Sequence, residues 1–196
     1  MSEPLDRIHI TVGDITQLSV DAIVNAANES LLDGDGGVDD AIHVAAGPKL
    51  LEFNKTLGGC PTGLAKISPA YELEKKGISH IIHTVGPVWH GDESASLANT
   101  HEDVLLASCY HQTLTIAQQH KIKTLAFPAI STGVSHFPKG RAAKIAFGHV
   151  LDFLTHHDDP QDVTFCCFNQ EDAAIYQEII DTRMQWMYNR KRICPT

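Results

Sequence analysis

Apolar runs rich in β-branched residues alternate with segments of helical periodicity along the whole chain, and this alternation constrains the fold more than any other feature. The runs predicted to form strands are residues 8–12, 22–25, 65–68, 80–85, 125–129 and 163–169. The segments with apolar positions three and four residues apart are 38–46, 48–57, 104–120, 139–154 and 172–187. Stacked β-α units of this kind predict a three-layer α/β/α sandwich around a buried central sheet.

Length and composition predict one domain over residues 1–196. With 196 residues, 43% of them hydrophobic, the chain can bury a full core. It has no internal repeat, and its loose polar stretches, 90–100 and 156–161, are short. The tail at about 183–196 carries a small basic patch, which is read as a solvated helix end or as a contact for a polyanion.

The charge and hydropathy of the chain exclude several classes of protein. No stretch approaches the roughly 20 apolar residues that a membrane helix needs, and the N-terminal residues lack a secretory signature, so a cytoplasmic protein without membrane contact is expected. The net charge of −9 argues against a protein that coats nucleic acid. An anionic ligand would therefore have to be held by backbone groups.

The cysteine and histidine patterns do not favour a metal site. The five cysteines lack paired C-x-x-C spacing, which predicts buried, reduced thiols. The twelve histidines show no zinc-ligand spacing, and the aspartates of the 33–40 segment lack the remaining ligands of a calcium loop. We expect neither a metal nor a cofactor.

Polar residues follow the first two predicted strands. Asp14, in Gly13-Asp14-Ile15-Thr16, can accept a hydrogen bond from an exocyclic amine, although the local sequence alone favours an Asx-turn that merely ends the strand. Asn25 and Asn28 are separated by two alanines, which allow close approach to the backbone. Their amides suit ribose hydroxyls or tie down a loop.

Two glycine-containing loops each lie after a predicted strand and before a predicted helix. The first, 32–39, runs into a helix N-terminus, where N–H groups and the helix dipole favour phosphate. The second is 128–138. Together the two loops predict a clamp around one diphosphate, and Phe137 is read either as a wall of the sugar pocket or as simple packing.

Several long motifs occur in one order: V-N-A-A-N, G-G-V-D-x-A-I-H-x-A-A-G, G-G-C-P-T-G-x-A-K-I, I-I-H-T-V-G-P-V-W and F-P-A-I-S-T-G-V. From about residue 8 to residue 176 the chain resembles the macrodomain family, in its MacroD-type branch. The resemblance implies a mixed, mostly parallel sheet and binding of ADP-ribose. It also implies two activities, removal of ADP-ribose from acidic side chains of mono-ADP-ribosylated proteins and deacetylation of O-acetyl-ADP-ribose. We expect a monomer.

The resemblance implies roles for individual residues. Asp14 and Ile15 would bind adenine, which Phe168 would flank with Asn169 nearby. Asn28 would bind the distal ribose. The residues expected to line the diphosphate are Gly36, Gly37 and Val38 on one side and Ser131, Thr132, Gly133 and Val134 on the other. Asn25, Ser135, His136 and Phe137 complete the predicted ligand-binding set.

Asp39 carries the predicted chemistry. The resemblance implies that it positions or deprotonates the attacking water, and Asn28 and Asp39 are the predicted catalytic residues. An ester on a ribose can be cleaved by an oriented water without a metal. A non-catalytic ADP-ribose reader is the alternative, and a phosphatase of ADP-ribose 1″-phosphate is the third function considered.

The chain departs from the family pattern in both loops. The first has one additional residue between Asn28 and Asp39 and is interrupted by Asp35, so weaker ligand affinity is expected. In the second, Ser135, His136 and Phe137 replace Tyr, Gly and Tyr. The loss of a glycine limits positive φ, which predicts a different loop conformation, with Phe137 as an apolar wall.

Overall fold

The computed structural model describes residues 3–32, 36–91 and 99–193. Within these ranges the strands are β1 (Ile8–Val12), β2 (Ala22–Ala26), β3 (Ala65–Pro69), β4 (His80–Thr84), β5 (Thr124–Phe127) and β6 (Asp162–Cys167). The α-helices are α1 (Gly37–Ala46), α2 (Pro48–Leu57), α3 (His101–Gln119), α4 (Lys139–His156) and α5 (Gln170–Ile193). The predicted alternation of strands and helices is confirmed.

The strands form a single sheet in the order β1-β6-β5-β2-β4-β3. Neighbouring strands are parallel except for β3, which runs antiparallel to β4. The predicted mixed, mostly parallel sheet is therefore confirmed. In such sheets, ligands bind beyond the carboxyl ends of the strands.

Both faces of the sheet are covered by helices. Alternate residues of β2 show this, because Ile23 packs in a cluster with Ile42 and Leu50 of α1 and α2. The next residue, Val24, packs in a second cluster that includes Leu106 of α3. The predicted three-layer α/β/α sandwich is confirmed.

Two strands end two residues before their predicted limits, and in both cases the residues that follow explain it. β5 ends at Phe127 because Pro128 has no N–H to donate to the sheet. β6 ends at Cys167, and the Asn169 side chain accepts from the Asp172 N–H at 2.9 Å as the cap of α5. The residues that follow these strands are thus free to shape a loop.

Helix α3 begins three residues earlier than predicted because of its cap. The Thr100 hydroxyl accepts from the Asp103 N–H at 3.2 Å, and the Asp103 carboxylate accepts from the Thr100 N–H at 2.8 Å. This reciprocal capping box satisfies two N–H groups at the helix end.

Arg7 ties the N-terminal segment to the loop between α4 and β6. Its guanidinium is buried and donates to five backbone carbonyl oxygens, those of Leu154, His157, Asp158, Pro160 and Gln161, at 2.6–3.0 Å. The polar stretch 156–161, which the composition predicts to be a loop, is therefore anchored by Arg7, about 150 residues away in the sequence.

The cysteines that the structure describes are buried and unpaired, namely Cys60, Cys109, Cys166 and Cys167. Burial raises the pKa of Cys109, Cys166 and Cys167 to about 11, so these thiols are protonated at neutral pH. In the described ranges, no helix combines the length and apolar character needed to cross a bilayer.

Candidate functional site

A crevice of about 1650 Å³ follows the carboxyl edge of the sheet. In strand order its lining residues are Gly13, Asp14 and Ile15 after β1; Cys166, Phe168, Asn169 and Asp172 near the end of β6; Pro128, Ala129, 131–135 and Lys139 after β5; 26–29, 36–39 and Ala41 after β2; 85–88 and His90 after β4; Thr62 before β3; and His101, Glu102 and Leu105 of α3. Residues 33–35, which include Asp35 and the additional residue of the first loop, lie outside the described residues.

Asp14 lies at the β1 end of the crevice. Its Oδ1 accepts from the Thr16 N–H at 2.9 Å and from the Thr16 hydroxyl at 2.7 Å. Burial alone would raise the pKa of Asp14, but the hydrogen bonds from Thr16 outweigh it, so the pKa lies below its usual value. The same charged side chain thus forms the Asx-turn after β1 and presents a hydrogen-bond acceptor to the crevice.

Phe168 is placed at the same end of the crevice. Its side chain lines the crevice and is 88% exposed, which is unusual for a phenylalanine. An aromatic face left in solvent beside a carboxylate acceptor suits a flat, amine-bearing ring.

The loop after β2 leads into the N-terminus of α1, and this terminus faces the crevice. Gly36 and Gly37 take φ values of 91° and 71°, which only glycine adopts without strain. Val38 and Asp39 follow in the first helical turn and also line the crevice. The unpaired N–H groups of a helix start favour an anion at this point.

Asn28 lies in the crevice lining at the end of β2. Its Oδ1 accepts from the Ser30 hydroxyl at 2.6 Å and from the Leu31 N–H at 3.0 Å. These bonds fix the orientation of the side-chain amide on the floor of the first loop.

Asp39 is a buried carboxylate, and its polar neighbours include Asn25 and His43. It is only 6% exposed, and its Oδ1 accepts a short hydrogen bond from Asn25 Nδ2. His43 Nε2, one helical turn later, lies 3.6 Å from the same oxygen. The structure places Asn25, predicted among the ligand-binding residues, beneath the crevice and outside its lining, because it is fully buried behind Asp39.

The second loop, after β5, closes the crevice from the other side. Ser131, with a φ of 65°, is buried, and its Oγ has no hydrogen-bond partner among the described residues. A non-glycine residue in this conformation stores of the order of 1 kcal/mol of strain. A buried hydroxyl without a partner, in a crevice lining, is suited to a hydrogen bond with a ligand.

The conformation of the second loop differs from what the loss of a glycine predicts. His136 itself takes a positive φ of 56°, so the left-handed turn is kept at the position of the family glycine. His136 is exposed and Phe137 is 2% exposed, and neither lines the crevice. Phe137 packs in the core on Trp89, with ring centroids 4.7 Å apart, so it supports the loop from below and does not form a wall of the pocket.

The exit of β4 packs directly against the second loop. A Cβ at Gly86 would lie 2.1 Å from Ser131 Oγ, so only glycine fits there. The Trp89 N–H donates to the Ser135 carbonyl at 2.9 Å, and Arg141 lies over the Trp89 ring at 5.3 Å. The segment after β4 and the second loop therefore form one wall of the crevice.

Sequence reasoning missed the lining residues that come from β4, β3 and α3. The missed polar ones are Thr62, His90, His101 and Glu102, together with Glu29 after β2, Lys139 at the start of α4 and Asp172 in α5. Glu29 is anchored because its carboxylate accepts from the Thr62 hydroxyl at 2.8 Å. The segment around residues 80–89 was recognised as a motif, but nothing local showed that its end faces the same crevice as the β2 loop.

Side-chain cations are few in the described lining of the crevice. Of the described lining residues, Lys139 alone carries a permanent positive charge, and Asp172 pairs with it at 2.6 Å. Hydrogen bonding to Asp172 raises the pKa of Lys139. The described residues include no group of three or more His, Cys, Asp or Glu side chains placed to hold a metal ion.

Comparisons with known proteins agree with this geometry. Residues 24–146 match the family model described as Macro domain. A Macro domain-containing protein of Methanosarcina mazei is 56% identical over 167 residues, covering 85% of this chain and 84% of that protein. A protein of Escherichia fergusonii named O-acetyl-ADP-ribose deacetylase is 48% identical over 178 residues, covering 89% and 95%.

A solved structure shows the same architecture. The Oceanobacillus iheyensis macrodomain, in a glycine-to-valine mutant with ADPR, superposes with a TM-score of 0.80 at 39% identity. The match covers 90% of this chain and 92% of that one.

Proposed function

The chain belongs to the Macro domain family, and we propose that it is a metal-independent hydrolase of ADP-ribose esters. Its substrates would be O-acetyl-ADP-ribose and proteins that carry mono-ADP-ribose on acidic side chains. The name of the Escherichia fergusonii relative and the ADPR in the Oceanobacillus iheyensis structure support this class of ligand.

The placement of Asp39 carries the proposal. Its carboxylate lines the crevice in the first turn of α1, directly after the glycines whose helix N-terminus suits a diphosphate. It is also held from below by Asn25. A carboxylate fixed beside an anion site is in position to orient a water molecule toward the sugar attached to that anion.

The ligand would lie along the sheet edge in strand order. Adenine would occupy the β1–β6 end between Asp14 and Phe168, the diphosphate the space between the β5 and β2 loops, and the distal ribose the region of Asn28. Strands lie about 4.8 Å apart, so the four intervals from β1 to β4 span about 19 Å. An extended dinucleotide-like ligand suits this length.

The reaction is an ester hydrolysis. Water held by Asp39 attacks the carbonyl carbon while the carboxylate accepts its proton. The bond between that carbon and the ribose oxygen then breaks, and the ribose oxygen takes up the proton. The products are the free carboxylic acid and ADP-ribose. General-base help of this kind contributes about 10²- to 10⁴-fold to the rate.

A non-catalytic ADP-ribose reader is the second candidate. The observation in its favour is the altered second loop, in which the exposed His136 occupies the left-handed position where relatives commonly carry glycine. A reader would need the adenine and diphosphate contacts but not Asp39.

One experiment separates the two candidates. The purified protein is incubated with O-acetyl-ADP-ribose and with a glutamate-linked mono-ADP-ribosylated protein, and release of ADP-ribose is followed by chromatography and mass spectrometry. Calorimetry with free ADP-ribose is run in parallel. Turnover of either ester supports the hydrolase, whereas binding without turnover supports the reader. The absence of both would overturn both candidates.

A further inference from the structure

Three polar side chains lie fully buried beneath Asp39, on three neighbouring strands. Asn25 of β2 and His83 of β4 are 0% exposed, and Ser68 of β3 is 1% exposed. Asn25 and His83 are direct neighbours in the parallel register of their strands. Lys66 is opposite His83 in the antiparallel pair, so Ser68, two residues further along, is its diagonal neighbour on the same face.

These side chains form a continuous hydrogen-bonded chain that ends on Asp39. Asn25 Nδ2 lies 3.1 Å from His83 Nδ1 and also donates to Asp39 Oδ1. His83 Nε2 lies 2.9 Å from Ser68 Oγ. None of Asn25, His83 and Ser68 belongs to the crevice lining, so a ligand in the crevice does not touch them.

The direction of each hydrogen bond follows from the carboxylate. A carboxylate only accepts, so Asn25 must present its NH₂ group to Asp39, and the second hydrogen of that group points to His83. His83 Nδ1 therefore accepts, its proton is on Nε2, and Nε2 donates to Ser68. The opposite orientation of the amide would place an oxygen against the Asp39 carboxylate.

Asn25 depends on these two acceptors for its orientation. Its own Oδ1 is buried and makes no hydrogen bond to any residue that the structure describes. No bond to the amide oxygen therefore holds the side chain in place. If His83 lost its acceptor nitrogen, Asp39 alone would have to orient the amide.

His83 is suited to this task because it stays neutral. Burial, together with the smaller effect of the nearby His43, lowers the pKa of His83 to about 3. The charged and titratable neighbours of the network include Asp39 and His43 of α1 and, on β3, Lys66, which is opposite His83. A neutral imidazole keeps Nδ1 available as an acceptor throughout the physiological pH range.

We propose that His83 is a positioning residue for the hydrolysis: its Nδ1 holds the Asn25 amide so that this amide orients the Asp39 carboxylate toward the attacking water. The inference rests on the proposed hydrolase function. His83 acts through Asn25 and touches neither water nor substrate. It therefore affects the turnover number and leaves ligand affinity nearly unchanged.

Two substitutions at His83 separate positioning from bulk packing. His83→Phe keeps the ring but removes both nitrogens, and we expect kcat for O-acetyl-ADP-ribose to fall about 10- to 100-fold, the range produced by a small misplacement of a reacting group. The Kd for ADP-ribose should change less than about 3-fold. His83→Asn can place an amide oxygen near the position of Nδ1, so it should recover most of the lost kcat.

A matched control accounts for changes in stability. Ile81→Val removes one methyl group two residues earlier on β4, from a side chain that is also 0% exposed and outside the network. We expect Ile81→Val to lower the melting temperature slightly without changing kcat. The inference is overturned if folded His83→Phe keeps kcat within about 3-fold of the wild type, if His83→Asn is as slow as His83→Phe, or if affinity falls in parallel with kcat.

A spectroscopic measurement tests the network without relying on turnover. Long-range ¹H–¹⁵N spectra of the wild-type protein should show His83 with a bare Nδ1 and a protonated Nε2 from pH 5 to pH 8. The side-chain NH₂ signals of Asn25 should shift in His83→Phe. A wild-type protein that binds ADP-ribose without turnover contradicts the proposed function. A protonated Nδ1, or unchanged Asn25 signals in His83→Phe, overturns the inference whatever the turnover result.

Discussion

The side-chain amide of Asn25 donates a hydrogen bond to Oδ1 of Asp39 from beneath the crevice. His43 Nε2 approaches the same oxygen to 3.6 Å from the next turn of α1. Two polar groups thus converge on one carboxylate oxygen, and the protein, not the ligand, sets the direction of the carboxylate. Such preorganisation is what a general base requires.

Removal of the Asp39 carboxylate should abolish most of the turnover. We expect Asp39→Ala to lower kcat for O-acetyl-ADP-ribose at least about 100-fold while ADP-ribose binding changes only a few-fold, since the base is lost but the diphosphate contacts remain. The control is Asp40→Ala, which removes an exposed carboxylate of the same helix. Equal loss of activity in the two variants would contradict the assignment.

Replacement of Phe168 should weaken ligand binding without destabilising the fold. The side chain is 88% exposed, so Phe168→Ala removes little buried surface and should leave the melting temperature unchanged. If the ring stacks on adenine, the Kd for ADP-ribose should rise by about 3- to 10-fold, corresponding to the roughly 0.5–1.5 kcal/mol of an aromatic pair. Val44→Ala, at another exposed apolar position, is the control. An unchanged Kd measured by calorimetry would remove Phe168 from the site.

A side chain at position 86 should disturb both loops that meet there. In Gly86→Ala the new Cβ would lie 2.1 Å from Ser131 Oγ and 2.7 Å from Ile130 Cγ2, so the second loop must move. We expect overpacking to cost about 1–3 kcal/mol and ADP-ribose affinity to fall at least about 10-fold. In Gly148→Ala, in the middle of α4, the Cβ meets no atom within 4 Å. This control should bind normally, and normal binding by Gly86→Ala would contradict the expected clash.

The pair Asp103–Arg141 should make stability depend on acid pH. Arg141 Nε donates to Asp103 at 2.7 Å, and this hydrogen bond, opposed by burial, holds the pKa of Asp103 below its usual value. A carboxyl with a depressed pKa stabilises the fold above its unfolded-state pKa, near 3.9, and loses this contribution as the pH falls through the lower folded-state value. Asp103→Asn should therefore cost about 2 kcal/mol at pH 7 and progressively less below pH 4.

Denaturant unfolding at pH 7 and pH 3 measures this effect. The control is Asp152→Asn, whose carboxylate is 77% exposed and should contribute less than about 0.5 kcal/mol at either pH. If the free energy of unfolding of Asp103→Asn differed from that of the wild type by the same amount at both pH values, the ion pair would be ruled out as the source of the difference.

Much of the site could be predicted because its signals are local. The glycines before α1, the carboxylate after β1 and the position of Asp39 follow from turn and helix-start chemistry within a few residues. Phe168 and the loop after β5 are found by their place at strand ends. These residues line the crevice in the structure.

The support beneath the site was not predictable in the same way. Asn25 and Phe137 were expected to touch the ligand, yet both are buried below it. The side chain of a strand residue next to a polar loop can point toward the crevice or into the core. The local sequence pattern does not decide which. Glu29, Thr62 and His90 were missed for a related reason, since nothing in the sequence around them showed that they line the same crevice.

The sequence by itself determined the layered fold and the edge of the sheet that carries the crevice, because hydrophobic periodicity and the chemistry of glycine, proline and asparagine act over a few residues. Only the tertiary structure decided which polar groups meet. Asn25 and His83 are 58 residues apart, and they meet because β2 pairs with β4. Contacts of this kind depend on which distant strands pair. The local sequence around either residue does not specify that pairing.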